Sequence, residues 1–192
     1  MEKNRKKPIQ KRSIKTVESI LHASQDILKN DGPLKFSTNL IAKNSGVSVG
    51  SIYQYFQSKE KIVELLLEKE LRASLEKFDH KVKLLFNCNF EERLTGVVSH
   101  ISSVFKENDY LLQAHKLFDL EDKFNLDQFF DSEFFSRAKK ILQQDGNNFS
   151  NKDLDQFFIL LKQSFGTSYF ANNSQIKGVL TSIGFGMAQT HI

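Results

Sequence analysis

The chain has 192 residues, 40% of them apolar and 26% charged, which excludes a disordered protein and suffices for one core or a small head on a larger body. Its single cysteine, Cys88, excludes an internal disulfide and a CxxC zinc site, and an idle thiol is the expected reading. Net charge is +4 but uneven: residues 1–60 hold 11 Lys/Arg against 5 Asp/Glu, and the remainder 16 against 18.

The first fifteen residues, MEKNRKKPIQKRSIK, carry seven cations and one anion. They read either as an arm for a polyanion or as a solvated tail. They run into an amphipathic pattern rather than an apolar signal core, and no apolar run approaches membrane-spanning length, so a cytoplasmic protein is expected. Ile14, Val17, Ile20, Leu21, Ile27 and Leu28 then follow helical spacing over 14–29. NDGP ends that helix, with Gly32 suited to a C-terminal cap and Pro33 unable to continue. In the connector LKFS, Phe36 is expected to plug a small core, and Ser37 to cap a helix over 38–44.

SGVS breaks that helix, because Gly46 can take the positive φ of a tight turn. Ser48 caps a second short helix, Val49 to Tyr55, so the two make a helix-turn-helix. Ser58 caps a much longer helix, Lys59 to Phe86, on which Leu67, Leu71, Leu75, Phe78, Val82 and Leu85 keep one stripe apolar. At 1.5 Å per residue it spans about 40 Å. Helical periods recur over 90–106, 110–120, 126–144, 152–170 and 175–191, and Ser150 with Asp153 resembles a capping box. No strand pattern interrupts them, so the chain is expected to be all-α.

The short second helix has the chemistry of a groove-reading element. Gly50 and Ser51 at its tip permit close backbone approach, and Val49 suits a thymine methyl. Ser51 and Gln54 suit a base or phosphate. Tyr53 and Tyr55 offer hydroxyls to phosphate oxygens, contacts that set register rather than sequence. Ile52 and Phe56, at i and i+4, face inward. Lys59 stands at the start of the next helix, where its charge suits a further phosphate.

With these features in place, FSTNLIAKNSGVSVGSIYQYFQSKEKIVELL resembles the DNA-binding signature of TetR-type transcriptional regulators. The matching residues are Ile41-Ala42, Gly46-Val47-Ser48, Gly50-Ser51-Ile52-Tyr53, Tyr55-Phe56 and Ser58-Lys59-Glu60, and the likeness covers roughly residues 14–66. Leu40 departs from it, being apolar where polar residues are frequent. The resemblance implies phosphate contacts by Thr38, Tyr53 and Lys59, and base or backbone contacts by Val49, Gly50, Ser51, Gln54 and Tyr55. Asn39 falls at a base-reading position, and Ser48 completes the expected DNA-binding set. It implies a basic arm and helix-turn-helix domain over 1–60, and an effector-binding and dimerisation domain over 61–192. The whole is then a ligand-responsive repressor, bound as a homodimer to a palindromic operator on double-stranded DNA.

Dimerisation through the last two long helices is implied by the resemblance and supported by a ridge of small residues, Gly178, Ser182 and Gly186, spaced by four. Fifteen of the eighteen phenylalanines lie from Phe86 onward. Phe129, Phe130, Phe134 and Phe135 cannot all face one side of an α-helix; cavity, core and partner subunit are all open to them, with core the favoured role for any one. Phe105, Tyr110, His115, Phe118, Phe130 and Phe134 are the candidate lining of a pocket for a small, largely apolar effector, with His100 and Asp119 as further polar candidates. The same body serves equally for a protein partner. An enzyme is the disfavoured reading: the five histidines show no HExxH spacing, and no nucleophile elbow or glycine-rich phosphate loop is present. No catalytic residue, cofactor or metal is expected.

Overall fold

The computed structural model describes residues 6–144 and 150–166, with side chains from 13–144 and 150–161. Among the described residues every regular element is helical. In chain order they are α1 (Lys6–Asn30), a 3-10 turn (Pro33–Lys35), α2 (Thr38–Ser45), α3 (Val49–Tyr55), α4 (Lys59–Leu85), α5 (Phe90–Glu107) and α6 (Asp109–Leu117). Next come α7 (Leu126–Phe129), a π turn (Phe130–Phe135), α8 (Ser136–Leu142) and α9 (Asn151–Gly166). The helix proposed over 175–191, with Gly178, Ser182 and Gly186, lies outside the described residues.

The described residues form two compact units, one of 6–73 with 107–126, the other of 74–106 with 127–144 and 150–166. This division by compactness falls within α4 and returns α6 to the first unit.

In the first unit, α1 begins well before Ile14, so residues 6–13 of the basic arm are helical. Pro8 permits this because the first turn of a helix has no use for its missing N–H. Gly32 ends α1 at φ 79°, its amide returning to the Ile27 carbonyl at 3.1 Å. Ile20, Ile27, Phe36, Ile41, Ile62 and Leu67 are buried around this small core, and α6 packs on α1 and the 3-10 turn.

In the second unit, Asn89 and Glu92 close a capping box at the start of α5: the Asn89 amide donates to Glu92 Oε2 at 3.0 Å, and the Glu92 amide to Asn89 Oδ1 at 2.9 Å. Arg93, 1% exposed, donates through Nε to the Cys88 carbonyl at 2.8 Å and through Nη1 to the Ile141 carbonyl at 3.0 Å. Ser150 and Asp153 form the box expected at α9, with the Ser150 amide 2.9 Å from Asp153 Oδ2.

The phenylalanine run departs from expectation. Phe129, Phe130, Phe134 and Phe135 are all buried, the role favoured for each of them, and the departure lies in the backbone. The helix that was to run uninterrupted from 126 to 144 opens into a π turn over Phe130–Phe135. Its i→i+5 repeat brings residues five apart nearly into line, which an α-helix cannot do. The rings then form a continuous cluster: Phe130 stacks on Phe105 at 4.7 Å and on Phe134 at 5.2 Å, while Phe135 stacks on Phe158 at 4.6 Å.

Candidate nucleic-acid interface

The helix-turn-helix is built from caps that the local sequence supplies. Ser37 Oγ accepts from the Leu40 amide at 3.4 Å and starts α2. Gly46, at φ 71°, ends it, with its amide on the Ala42 carbonyl at 3.1 Å. Two residues later Ser48 Oγ accepts from the Ser51 amide at 3.0 Å and starts α3. The Ser48 and Ser51 hydroxyls also share a hydrogen bond at 2.8 Å, which uses one of their two protons and leaves the other as a donor. Ser58 Oγ accepts from the Lys61 amide at 3.3 Å and opens α4.

Packing decides which side of α3 remains available. Ile52 is 0% exposed and Phe56 5%, while Tyr53 is 54% exposed and Tyr55 39%. Gln54 and Gly50 are exposed as well, and Val49 and Ser51 are half-buried. On α2, Asn39 is exposed, whereas Thr38 and the apolar Leu40 are half-buried. The described surface therefore presents two phenolic hydroxyls, an amide, small hydroxyls and an unobstructed glycine backbone. Such groups donate to phosphate oxygens and read base edges.

Lys59 differs from the others. Its Nζ donates to the Phe36 carbonyl at 3.0 Å and lies 4.5 Å from the centroid of the Phe118 ring. The cation is engaged within the first unit. Sequence alone carries no signal for this, because Lys59 and Phe118 are far apart along the chain.

The candidate pocket residues fall in both units. Phe105, Phe130 and Phe134 belong to the aromatic cluster of the second, where His100 stacks on Phe78 at 4.9 Å and holds the Ser74 carbonyl through Nε2 at 3.0 Å. Tyr110, His115 and Phe118 belong to α6 and its cap in the first. Tyr110 Oη accepts from Gln25 Nε2 at 2.7 Å, and the same amide nitrogen donates to Glu70 Oε1 at 3.2 Å, which ties α1, α4 and α6 together. Lys29 Nζ lies 5.0 Å from the centroid of the Tyr110 ring. His115 is buried, with Nε2 2.9 Å from the Phe124 carbonyl. Asp119 follows α6 at φ 51°, a left-handed position that Asp tolerates better than most residues. Among the described residues no group of three His, Cys, Asp or Glu side chains is placed to hold a metal ion. No helix there is long and apolar enough to cross a membrane.

Comparison with known proteins follows the same lines. Residues 20–66 match the family described as bacterial regulatory proteins, tetR family. Over 80 residues the chain is 29% identical to the fatty acid metabolism regulator protein of Bacillus subtilis (strain 168). That stretch is 42% of this chain and 40% of the relative, so the match spans two fifths of the relative's length. No solved structure matches.

Proposed function

We propose that this chain is a TetR-family regulator of transcription with a helix-turn-helix head, a repressor that binds as a homodimer to a palindromic operator and is released by a small, largely apolar effector. The observation carrying the reading is the division of α3, with Ile52 and Phe56 sealed inward and Tyr53, Gln54 and Tyr55 left on the outside. Val49, Gly50, Ser51 and Gln54 meet the major groove. Thr38, Ser48, Tyr53 and Tyr55 hold phosphates, and Asn39 reaches a base edge from α2. Lys59, engaged inside the head, is not in this set.

Dimerisation is assigned to the C-terminal segment with Gly178, Ser182 and Gly186, on the resemblance and on the spacing of small residues. Two grounds favour an apolar effector. The second unit concentrates phenylalanines around Phe105, Phe130 and Phe134, and the relative is named for fatty acid metabolism. The effector acts by population shift, so it must bind more tightly to the state that cannot hold DNA.

The test is selection of bound sites from random-sequence duplex DNA at several salt concentrations. An enriched inverted repeat with steep salt dependence is the expected result. Tyr53→Phe then weakens every sequence by about 0.5–1.5 kcal/mol per subunit, the net worth of one hydrogen bond. Changes at Val49 or Gln54 instead alter which bases are preferred. A folded, dimeric sample that enriches no site removes the reading.

A further inference from the structure

Lys59 opens α4 at a position where the family resemblance implies a phosphate contact, yet its ammonium already has two partners within the first unit. It donates to the Phe36 carbonyl at 3.0 Å and sits over the face of Phe118, 4.5 Å from the ring centroid. The Phe36 and Phe118 rings are themselves 6.2 Å apart. One cation therefore joins three elements: the C-cap of the 3-10 turn, the first residue of α4, and the C-cap of α6. Both partners are suited to positive charge, the carbonyl through its lone pairs and the ring through the negative face of its π system.

The location of this tie matters for what lies next to it. Phe36 is followed directly by Ser37, the cap that starts α2, and then by Thr38. The Phe36 side chain is buried and its carbonyl is held by Lys59, so the backbone entering α2 is fixed from both sides. The direction of α2, and of α3 across the Gly46 turn, depends on that entry point. To reach a phosphate, Lys59 would have to give up the carbonyl and the ring together.

We propose that Lys59 is a positioning residue rather than a phosphate ligand, aiming the helix-turn-helix by tying Phe36 to Phe118, and that Phe118 is its partner in that role. The aiming role rests on the DNA-binding reading above, whereas the tie itself does not. Phe118 thereby influences operator affinity from α6, without touching DNA.

The experiment uses the full chain as wild type, Lys59→Met, Lys59→Arg, Phe118→Leu and the Lys59→Met/Phe118→Leu double variant. Operator affinity is measured against salt concentration, and chemical unfolding is measured without DNA. Lys59→Met and Phe118→Leu are each expected to weaken binding by roughly tenfold with the slope of log K against log salt unchanged, because no phosphate contact is lost. The double variant should bind no worse than the weaker single variant, and Lys59→Arg, which keeps the charge over the ring, should retain most of the affinity. In unfolding, the two single losses should be non-additive, with a coupling of about threefold or more in the equilibrium constant. A slope shallower by about one per subunit in Lys59→Met, with Phe118→Leu unaffected, would make Lys59 a phosphate ligand and overturn the proposal. Additive unfolding losses overturn the tie itself and leave the DNA-binding reading intact. A wild type that selects no DNA site sinks that reading, and the aiming role with it.

Discussion

Gly50→Ala separates folding from DNA binding in a single substitution. Gly50 is the second residue of α3, exposed, and without a positive φ. A Cβ built there meets only Ser48 Oγ, at 3.8 Å, an ordinary van der Waals contact. Nothing inside the protein opposes the methyl group, so the remaining effect on folding is the helix preference of Ala over Gly. That preference amounts to as much as about 1 kcal/mol in favour of Ala. For a chain of this size it raises the melting temperature by about 2–4 °C. Against DNA the sign reverses. If the tip of α3 packs on the groove, a methyl group forced into a close contact costs about 1–3 kcal/mol in each subunit. At 1.4 kcal/mol per decade the operator affinity should fall at least tenfold. Thermal unfolding of the free protein and fluorescence anisotropy on the selected operator give the two numbers. A stabilised variant with unchanged affinity would refute the placement of α3 against DNA. A destabilised variant would refute the claim that Gly50 serves the interface rather than the fold.

Gly46→Ala should behave oppositely: the Cβ has open space, but φ 71° is left-handed, so stability falls by about 1–2 kcal/mol and Gly46→Asn falls less, as read by urea unfolding. Equal losses for Ala and Asn would contradict that account. Arg93→Met leaves the Cys88 and Ile141 carbonyls without their charged donor in a buried site and should cost about 3 kcal/mol in the same assay, with a loss below about 1 kcal/mol as the contrary outcome. Asp153 is held below its ordinary value of 3.8 chiefly by the hydrogen bond from the Ser150 side chain, helped by the Ser150 amide. A depressed carboxyl stabilises the fold above its unfolded pKa, and that contribution disappears as pH falls through the folded one. Amide exchange in the first turn of α9 should therefore quicken as pH drops below about 4, once corrected for its intrinsic pH dependence. Asp153→Asn should remove that acid-dependent step, and an identical acid profile in Asn and wild type would argue against it.

The parts of this protein that were legible in its sequence are those governed by neighbours along the chain. Ser37, Ser48 and Ser58 cap the helices they precede, and Gly32 and Gly46 take the positive φ their turns require. Ile52 and Phe56 turn inward, and Leu67, Leu71, Leu75, Phe78 and Leu85 form the buried stripe of α4. Each rests on a hydrogen bond or a periodicity spanning only a few residues, and the Asn89–Glu92 box was open to the same reasoning. The phenylalanine run shows where that reasoning ends. An α-helical period spreads Phe129, Phe130, Phe134 and Phe135 around the helix, but the gain from burying all four rings against Phe105, Phe78 and Phe158 favours a π turn there.

Lys59 follows the same rule at the site itself. Its position at the head of α4 and its resemblance to a phosphate ligand belong to the sequence. Its partners, Phe36 and Phe118, come from elements brought together only by packing α6 on α1 and the 3-10 turn. The sequence by itself determined the helical elements of the described residues, the helix-turn-helix and the outward face of α3, because caps and periodicity act over one or two turns. Only the tertiary structure decided which cation faces inward and how the phenylalanines share a core, because those choices depend on side chains meeting across long separations in the chain.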